Sequence, residues 1–255
     1  MTTILWDDFI QQDHLRDAPC AVSIGVFDGV HLGHRRLLEL VEGHRDATLR
    51  GVITFRENPS RYVHGDTYGG DILTLRQRLE RLDALGVDLV VLIDFTEAFR
   101  ELPGKRFLDL VRRAVDLRYV TVGWNFHCGR NSDTNAAGVA EYLGGNGVRV
   151  DIASAVLDNN VPVSSTRIRR AILRGDLGEA ERLMVEPWGI DARESSVVCN
   201  GAACFVRREE VRQVLPPAGF YRRTLLLDSG AQRNQFEVAR DGIHWEEQVA
   251  TTTAH

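Results

Sequence analysis

Two histidines three residues apart, His31 and His34, close the segment Ser23-Ile24-Gly25-Val26-Phe27-Asp28-Gly29-Val30-His31-Leu32-Gly33-His34. Both rings donate hydrogen bonds, and an adjacent polyanion raises their pKa and favours the charged form. An apolar run ends near Phe27, and within a few residues a helical pattern begins that brings Leu37, Leu38 and Val41 onto one side. Between them stand Gly25, Gly29 and Gly33, which let the backbone approach a bulky ligand or take positive φ. A helix start adds unpaired N–H groups and the positive end of a dipole. Imidazoles on one face of such a turn suit a phosphate chain, where they stabilise charge building on an α-phosphate and on departing pyrophosphate. The alternative is that the rings are solvated or cap backbone groups; their pairing as H-x-G-H after a strand and a glycine turn weighs against it. Two ligands without a third nearby make a poor zinc site.

A second segment, Val163-Ser164-Ser165-Thr166-Arg167-Ile168-Arg169-Arg170-Ala171-Ile172-Leu173, reads as a helix opening with hydroxyl caps at Ser164 or Ser165. Gly175 ends it, and Asp176 caps a following helix that runs through Met184. Arg167, Arg169 and Arg170 stand in the first turns, where each exposed cation opposes the helix dipole at a cost of about 0.3–1 kcal/mol. A bound anion would reverse that penalty, with guanidinium, hydroxyl and N–H groups converging on it. Three arginines on a solvated face are the alternative.

Elements that could position these groups follow from patterning. Short apolar runs at 21–27, 51–55, 89–95, 119–123 and 148–152 predict strands, and periodic stretches at 33–42, 75–85, 105–115 and 136–143 predict helices. Leu79, Leu82 and Leu85 on one helix, and Phe107, Leu110, Val111 and Ala114 on another, form stripes that suit a sheet. Continuous apolar strands alternating with helices imply an α/β fold with a parallel sheet, whose ligands bind beyond the carboxyl ends of the strands. The glycine-bearing segments after Phe27 and Val122 lie at two such ends. After Pro187 the pattern becomes short β segments at 196–200, 203–207, 221–227, 235–239 and 243–246. Their turns are marked by Asn200-Gly201, Pro216-Pro217, Ser229-Gly230 and Asp241-Gly242. The expected division is therefore a nucleotide-handling α/β domain over 1–186 and a small antiparallel β domain over 187–255, with no structural signal in 250–255.

The net charge is −5, so the surface offers no general attraction for nucleic acid or anionic membrane, and any nucleotide must be held by locally placed groups. No basic stripe with interleaved aromatics appears, and no apolar run is long enough to span a bilayer. The first residues are acidic and lack a basic leader pattern, which points to the cytoplasm. Cys20, Cys128, Cys199 and Cys204 form no metal-ligand spacing and read as buried or idle thiols in a reducing compartment.

The stretch 25–34 resembles the G-x-F-D-G-x-H-x-G-H signature of the bacterial FAD synthetase family, part of the H-x-G-H nucleotidyltransferase superfamily, and Ser164-Ser165-Thr166-Arg167-Ile168-Arg169 is similar to that family's I-S-S-T-x-I-R motif. The resemblance covers most of 20–188. It implies a Rossmann-like nucleotidyltransferase domain that moves AMP from ATP to FMN, releasing FAD and pyrophosphate, with Mg2+ bridging the ATP phosphates. By resemblance, His31, His34 and Arg169 assist transfer, while Gly25, Phe27, Asp28, Gly29, Gly33, Asn125, Ser164, Ser165 and Thr166 bind ATP, the two turns meeting around one triphosphate. The family's flavin site falls on Phe55, Asn58, Pro59 and Phe126. Phe55 either stacks on the isoalloxazine or fills core, and Asn125 is either a ligand to phosphate or magnesium or a turn residue.

Several positions depart from the family pattern. Glu57 and Asn58 replace proline and histidine of T-F-x-P-H-P, and Cys128 replaces the aromatic of G-x-D/N-F-x-F-G. Val214-Leu215-Pro216-Pro217-Ala218-Gly219-Phe220-Tyr221 is similar to a segment of the riboflavin kinase barrel that follows the transferase in bifunctional members. The kinase's G-F-P-T-A-N motif is absent from 187–255, so the region reads as a shortened barrel without kinase activity. The partners implied are the small molecules ATP and FMN, with no nucleic acid or membrane; an oligomer is compatible with the pattern. Two rival readings are a superfamily transferase with another phosphate-bearing acceptor, and a catalytically idle flavin- or nucleotide-binding protein.

Overall fold

The computed structural model describes residues 1–246 apart from Arg45, Ser229 and Ala231. The chain forms two compact units, one of Met1–Tyr68 with Arg78–Ser164, the other of Gly69–Gln77 with the residues from Ser165 onward. The sequence boundary at 186/187 marks a change of patterning, whereas compactness groups the chain differently.

The first unit opens with β1 (Thr2–Leu5), α1 (Trp6–Gln11), β2 (Pro19–Ile24), α2 (Leu32–Glu42), β3 (Leu49–Phe55) and α3 (Pro59–His64). Helix α4 (Leu75–Ala84) leads to β4 (Leu89–Ile93), α5 (Glu97–Arg100), α6 (Gly104–Ala114) and β5 (Asp116–Gly123). The two-residue strands β6 (His127–Cys128) and β7 (Thr134–Asn135), α7 (Ala136–Gly144), β8 (Arg149–Ala153) and the hairpin of β9 (Leu157–Asp158) with β10 (Val161–Pro162) complete it.

Six strands form one sheet in the order β1-β4-β3-β2-β5-β8, every pairing parallel. The central strands explain why: all five residues of β4 are buried, as a strand covered on both faces requires. Helix α6 buries Phe107, Leu108, Val111 and Ala114, while Leu110 of the expected stripe is only half-buried. Connections run outward from β2 in one direction and from β5 in the other, so the sheet has a topological switch point between those two strands.

Sequence patterning does not signal β1 or α1. Four residues are too few to show a periodic signal, yet β1 pairs with β4 along its whole length. Helix α1 then buries Trp6 and Phe9, with the Trp6 ring 5.3 Å from Phe107 and edge-on to Phe99 at 5.7 Å.

In the second unit, α8 (Ser165–Leu173) and α9 (Leu177–Met184) follow one another through Gly175 at φ 80°, and Asp176 caps α9 by accepting from the Glu179 N–H at 2.9 Å. The β elements are β11 (Gly189–Ala192), β12 (Val197–Asn200), β13 (Ala203–Arg207), β14 (Gly219–Tyr221), β15 (Thr224–Leu227), β16 (Gln232–Arg233), β17 (Phe236–Val238) and β18 (Gly242–Glu246). Five of them form an antiparallel sheet in the order β12-β13-β18-β17-β14, including the hairpin expected at Asp241-Gly242. The apolar run at 221–227 is two strands rather than one, and β15 pairs parallel with β11, an arrangement that local patterning could not show. Ser229 of the expected Ser229-Gly230 turn, and the tail 250–255, lie outside the described residues.

One expectation is overturned. Cys199 and Cys204 are joined in a disulfide across β12 and β13, leaving Cys20 and Cys128 free. The cause is register: the Asn200-Gly201 turn folds the hairpin so that Cys199 faces Cys204 with Cα atoms 4.1 Å apart. Sequence spacing alone carries no such pairing. The Cys20 and Cys128 thiols are pushed up to about 12 by burial and so are poor nucleophiles.

Candidate active site

The histidine segment leaves the carboxyl end of β2 at the switch point. Phe27, Gly29 and Val30 take φ of 55°, 90° and 43°. Only glycine adopts such angles without strain; a β-branched valine there costs about 1–3 kcal/mol, and strain of this kind clusters at ligand sites. The kink brings the chain back so that His31 becomes the N-cap of α2, its Nδ1 accepting from the His34 N–H at 3.4 Å. That bond leaves the proton of the neutral ring on Nε2, a free donor. The His34 ring stacks on His31 at 3.7 Å between centroids and on Phe27 at 4.8 Å. Gly33 permits this column, because a Cβ at that position would stand 3.1 Å from His31 Cε1.

Burial biases both rings toward the neutral form near neutral pH. Burial pushes the His31 imidazole down to about 4. His34 lies well below its ordinary value, through burial first and then the charges of His31 and Arg78. Its Nδ1 is enclosed without a hydrogen-bond partner among the described residues. The turn therefore offers neutral imidazoles that an arriving polyanion would bias toward the protonated form.

Groups around the turn are tied to it. Asp28 is buried, and Asn58 Nδ2 donates to its carboxylate at 3.2 Å. The same Asn58 caps α3, accepting from the Ser60 N–H at 3.0 Å. Asn58, expected at the flavin, is thus enclosed and engaged within the protein. Pro59 takes the first position of α3, where its missing N–H costs nothing. Phe55 is half-buried and meets Phe95 and Phe99 edge-on at 5.6 and 6.0 Å, so it serves the core on one side at least. Phe126 likewise packs partly against the core.

Beside β2, strand β5 ends in Gly123, and Trp124, Asn125 and His127 follow on the surface. The Asn125 carbonyl accepts from His127 Nδ1 at 3.0 Å, and Phe126 N–H returns to the Gly123 carbonyl, a turn that leaves the Asn125 side chain exposed. The two glycine-bearing segments therefore flank the switch point of one sheet, as the strand pattern implies.

The arginines of α8 do not act alike. Arg167 is paired with Glu179 of α9 at 2.7 Å, both partners largely buried, so its charge is spent within the unit. Arg169 Nε donates to the Gly70 carbonyl at 2.8 Å, and Arg170 is exposed. Ser165 opens the helix and Thr166 is exposed on its first turn.

One residue carries a role that its sequence context does not assign. Arg78 lies on α4 with only 5% of its surface exposed, and its guanidinium reaches the ends of β2 and β3. The available signal was its place among Leu75, Leu79 and Leu82, where an arginine interrupts an apolar stripe.

Residues 13–167 match the family model of FAD synthetase. This chain belongs to the FAD synthetase family. Among its relatives, a bifunctional riboflavin kinase/FMN adenylyltransferase of Listeria monocytogenes is 30% identical over 191 residues, covering 74% of this chain and 60% of that protein. The corresponding Escherichia coli K12 protein is 31% identical, with coverages of 71% and 59%. This chain thus spans about 60% of the length of those bifunctional relatives. An FAD synthetase of the same Listeria strain is 28% identical over 218 residues and matches 84% of each chain. In three dimensions, a crystal structure from Streptococcus pneumoniae described as a macrolide-efflux protein shares the fold with a TM-score of 0.75, at 23% identity, over 96% of this chain and 84% of the other.

Proposed function

We propose that this protein is an FMN adenylyltransferase that transfers AMP from ATP to FMN, giving FAD and pyrophosphate. The observation that carries the reading is the His31–His34 turn, a strained glycine loop with stacked neutral imidazoles at the switch point of a parallel sheet. Membership of the FAD synthetase family supports FMN as the acceptor.

An FMN phosphate oxygen, already anionic near neutral pH, attacks the ATP α-phosphorus in line. The bond to the bridging oxygen breaks and pyrophosphate leaves, so no general base is needed. Catalysis is then positioning and neutralisation of phosphate charge. Nε2 of His31 donates to the phosphates, and His34 takes up a proton as the polyanion arrives. The exposed Thr166, with Ser164, Ser165 and Arg169, remains a proposed ATP contact by motif, as do Gly25, Phe27, Asp28, Gly29 and Gly33. Among the described residues no group of three or more His, Cys, Asp or Glu is placed to hold a metal ion. Magnesium would arrive with the nucleotide, and the exposed Asn125 would offer it a neutral oxygen donor.

We also infer that the chain does not phosphorylate riboflavin, because 187–255 lacks the G-F-P-T-A-N motif. Incubation with ATP, a magnesium salt and either FMN or riboflavin tests both statements by chromatography of the products. FMN should yield FAD and pyrophosphate, and riboflavin should yield no FMN. His31→Ala and His34→Ala should each lower turnover by about tenfold or more. Near-wild-type rates in both variants would remove the histidines from the mechanism.

A further inference from the structure

We propose that Arg78 is a positioning residue of the histidine turn: its guanidinium gathers the main-chain carbonyls at the ends of β2 and β3 and so holds the loop that presents His31 and His34. The proposal rests on the reading of that turn as the phosphate site.

Where parallel strands end and irregular loops begin, carbonyl groups lose their ladder partners and must find other donors. Three such carbonyls converge here. Arg78 Nη1 donates to the Val26 carbonyl at 2.9 Å, and Nη2 donates to those of Phe55 at 2.6 Å and Arg56 at 3.0 Å. Val26 immediately precedes Phe27, the first residue of the loop in the left-handed region. The same carbonyl also accepts from Thr54 Oγ1 at 2.9 Å, and the Gly25 N–H donates to Ile53 at 3.1 Å. The loop's take-off point is thereby fixed from two elements, β3 and α4.

A single planar fork serves all three acceptors, which the compact ammonium of lysine cannot reproduce. Burying a guanidinium is expensive, and a leucine would satisfy the apolar stripe of α4 more cheaply. The cost is sensible where a fixed positive charge lies beside a site for a polyanion. Arg78 is close enough to His34 for its charge to contribute to keeping that ring neutral before ligand arrives. The groups acting on His34 are thus His31 from its own turn and Arg78 from α4.

The test compares wild type, Arg78→Met and Arg78→Lys at a temperature where circular dichroism shows native structure. ATP affinity is measured by calorimetry with the magnesium salt, and the two imidazoles are titrated by NMR in the free protein. Arg78→Met should weaken ATP binding by about tenfold or more, a magnitude expected for loss of positioning. It should also move the His34 titration to higher pH. Arg78→Lys keeps the charge and loses the fork, so it should leave the His34 titration near wild type while still weakening ATP binding. A natively folded Arg78→Met with unchanged ATP affinity and unchanged imidazole titration overturns the proposal. If Arg78→Met does not fold, Arg78→Lys decides: wild-type ATP affinity in that variant sinks the idea. These readouts do not use FMN, so a protein that makes no FAD would refute the proposed function while leaving the role of Arg78 to be judged from the imidazoles.

Discussion

Acidification should destabilise this protein through His31. The imidazole falls from 6.5 to about 4 on folding, with burial as the main cause. The unfolded chain therefore binds the proton more readily, and the stability contribution is fully present above 6.5 and lost as pH falls toward 4. At about 1.4 kcal/mol per pH unit the complete loss is about 3 kcal/mol. Between pH 7.5 and 5.5 the same linkage gives about 1.4 kcal/mol. His34 is depressed in the same direction and adds to the effect. The control is His31→Asn, because an asparagine side-chain oxygen can cap α2 and accept the His34 N–H without titrating. Urea denaturation of both proteins at the two pH values isolates the term. Wild type should lose about 1.4 kcal/mol more than His31→Asn on acidification. If the two proteins lose the same stability, His31 is not held neutral by burial, and the account of neutral imidazoles awaiting a polyanion is wrong.

Asn58→Ala removes both the donor to buried Asp28 and the cap of α3. It should cost about 2 kcal/mol in denaturant unfolding, and a loss below about 0.5 kcal/mol would show that neither bond matters. The Cys199–Cys204 bridge closes a short loop, with a sequence separation of 5, and Cys199→Ser should lower stability by about 2 kcal/mol. Thiol titration of the denatured protein should find only Cys20 and Cys128 before reduction and all four cysteines after it. Four reactive thiols without reductant would contradict the pairing.

Much of the first unit was legible because its signals are local. The five strands expected between 21 and 152 all form, and α2, α4, α6 and α7 fall within about a residue of their expected ends, since apolar periodicity is set by burial on one face. The histidine turn was legible for the same reason, as glycine spacing and residue type act over a dozen positions. Edge strand β1 was hidden because its stabilisation comes from β4, which lies far along the chain. Arg78 was hidden because an arginine on a helix is ordinarily solvated, and only the convergence of Val26, Phe55 and Arg56 carbonyls makes burial tolerable.

Sequence alone determined the kinds of chemistry available: imidazoles and glycines after a strand, hydroxyls and guanidinium at a helix start, and the family to which they belong. Tertiary structure decided their states. It stacked His31 on His34 and buried them until both became neutral, spent Arg167 on Glu179, turned Asn58 inward to Asp28, and brought Cys199 opposite Cys204. The physical reason is that protonation, pairing and desolvation depend on neighbours distant along the chain, and these become neighbours only when the sheet assembles.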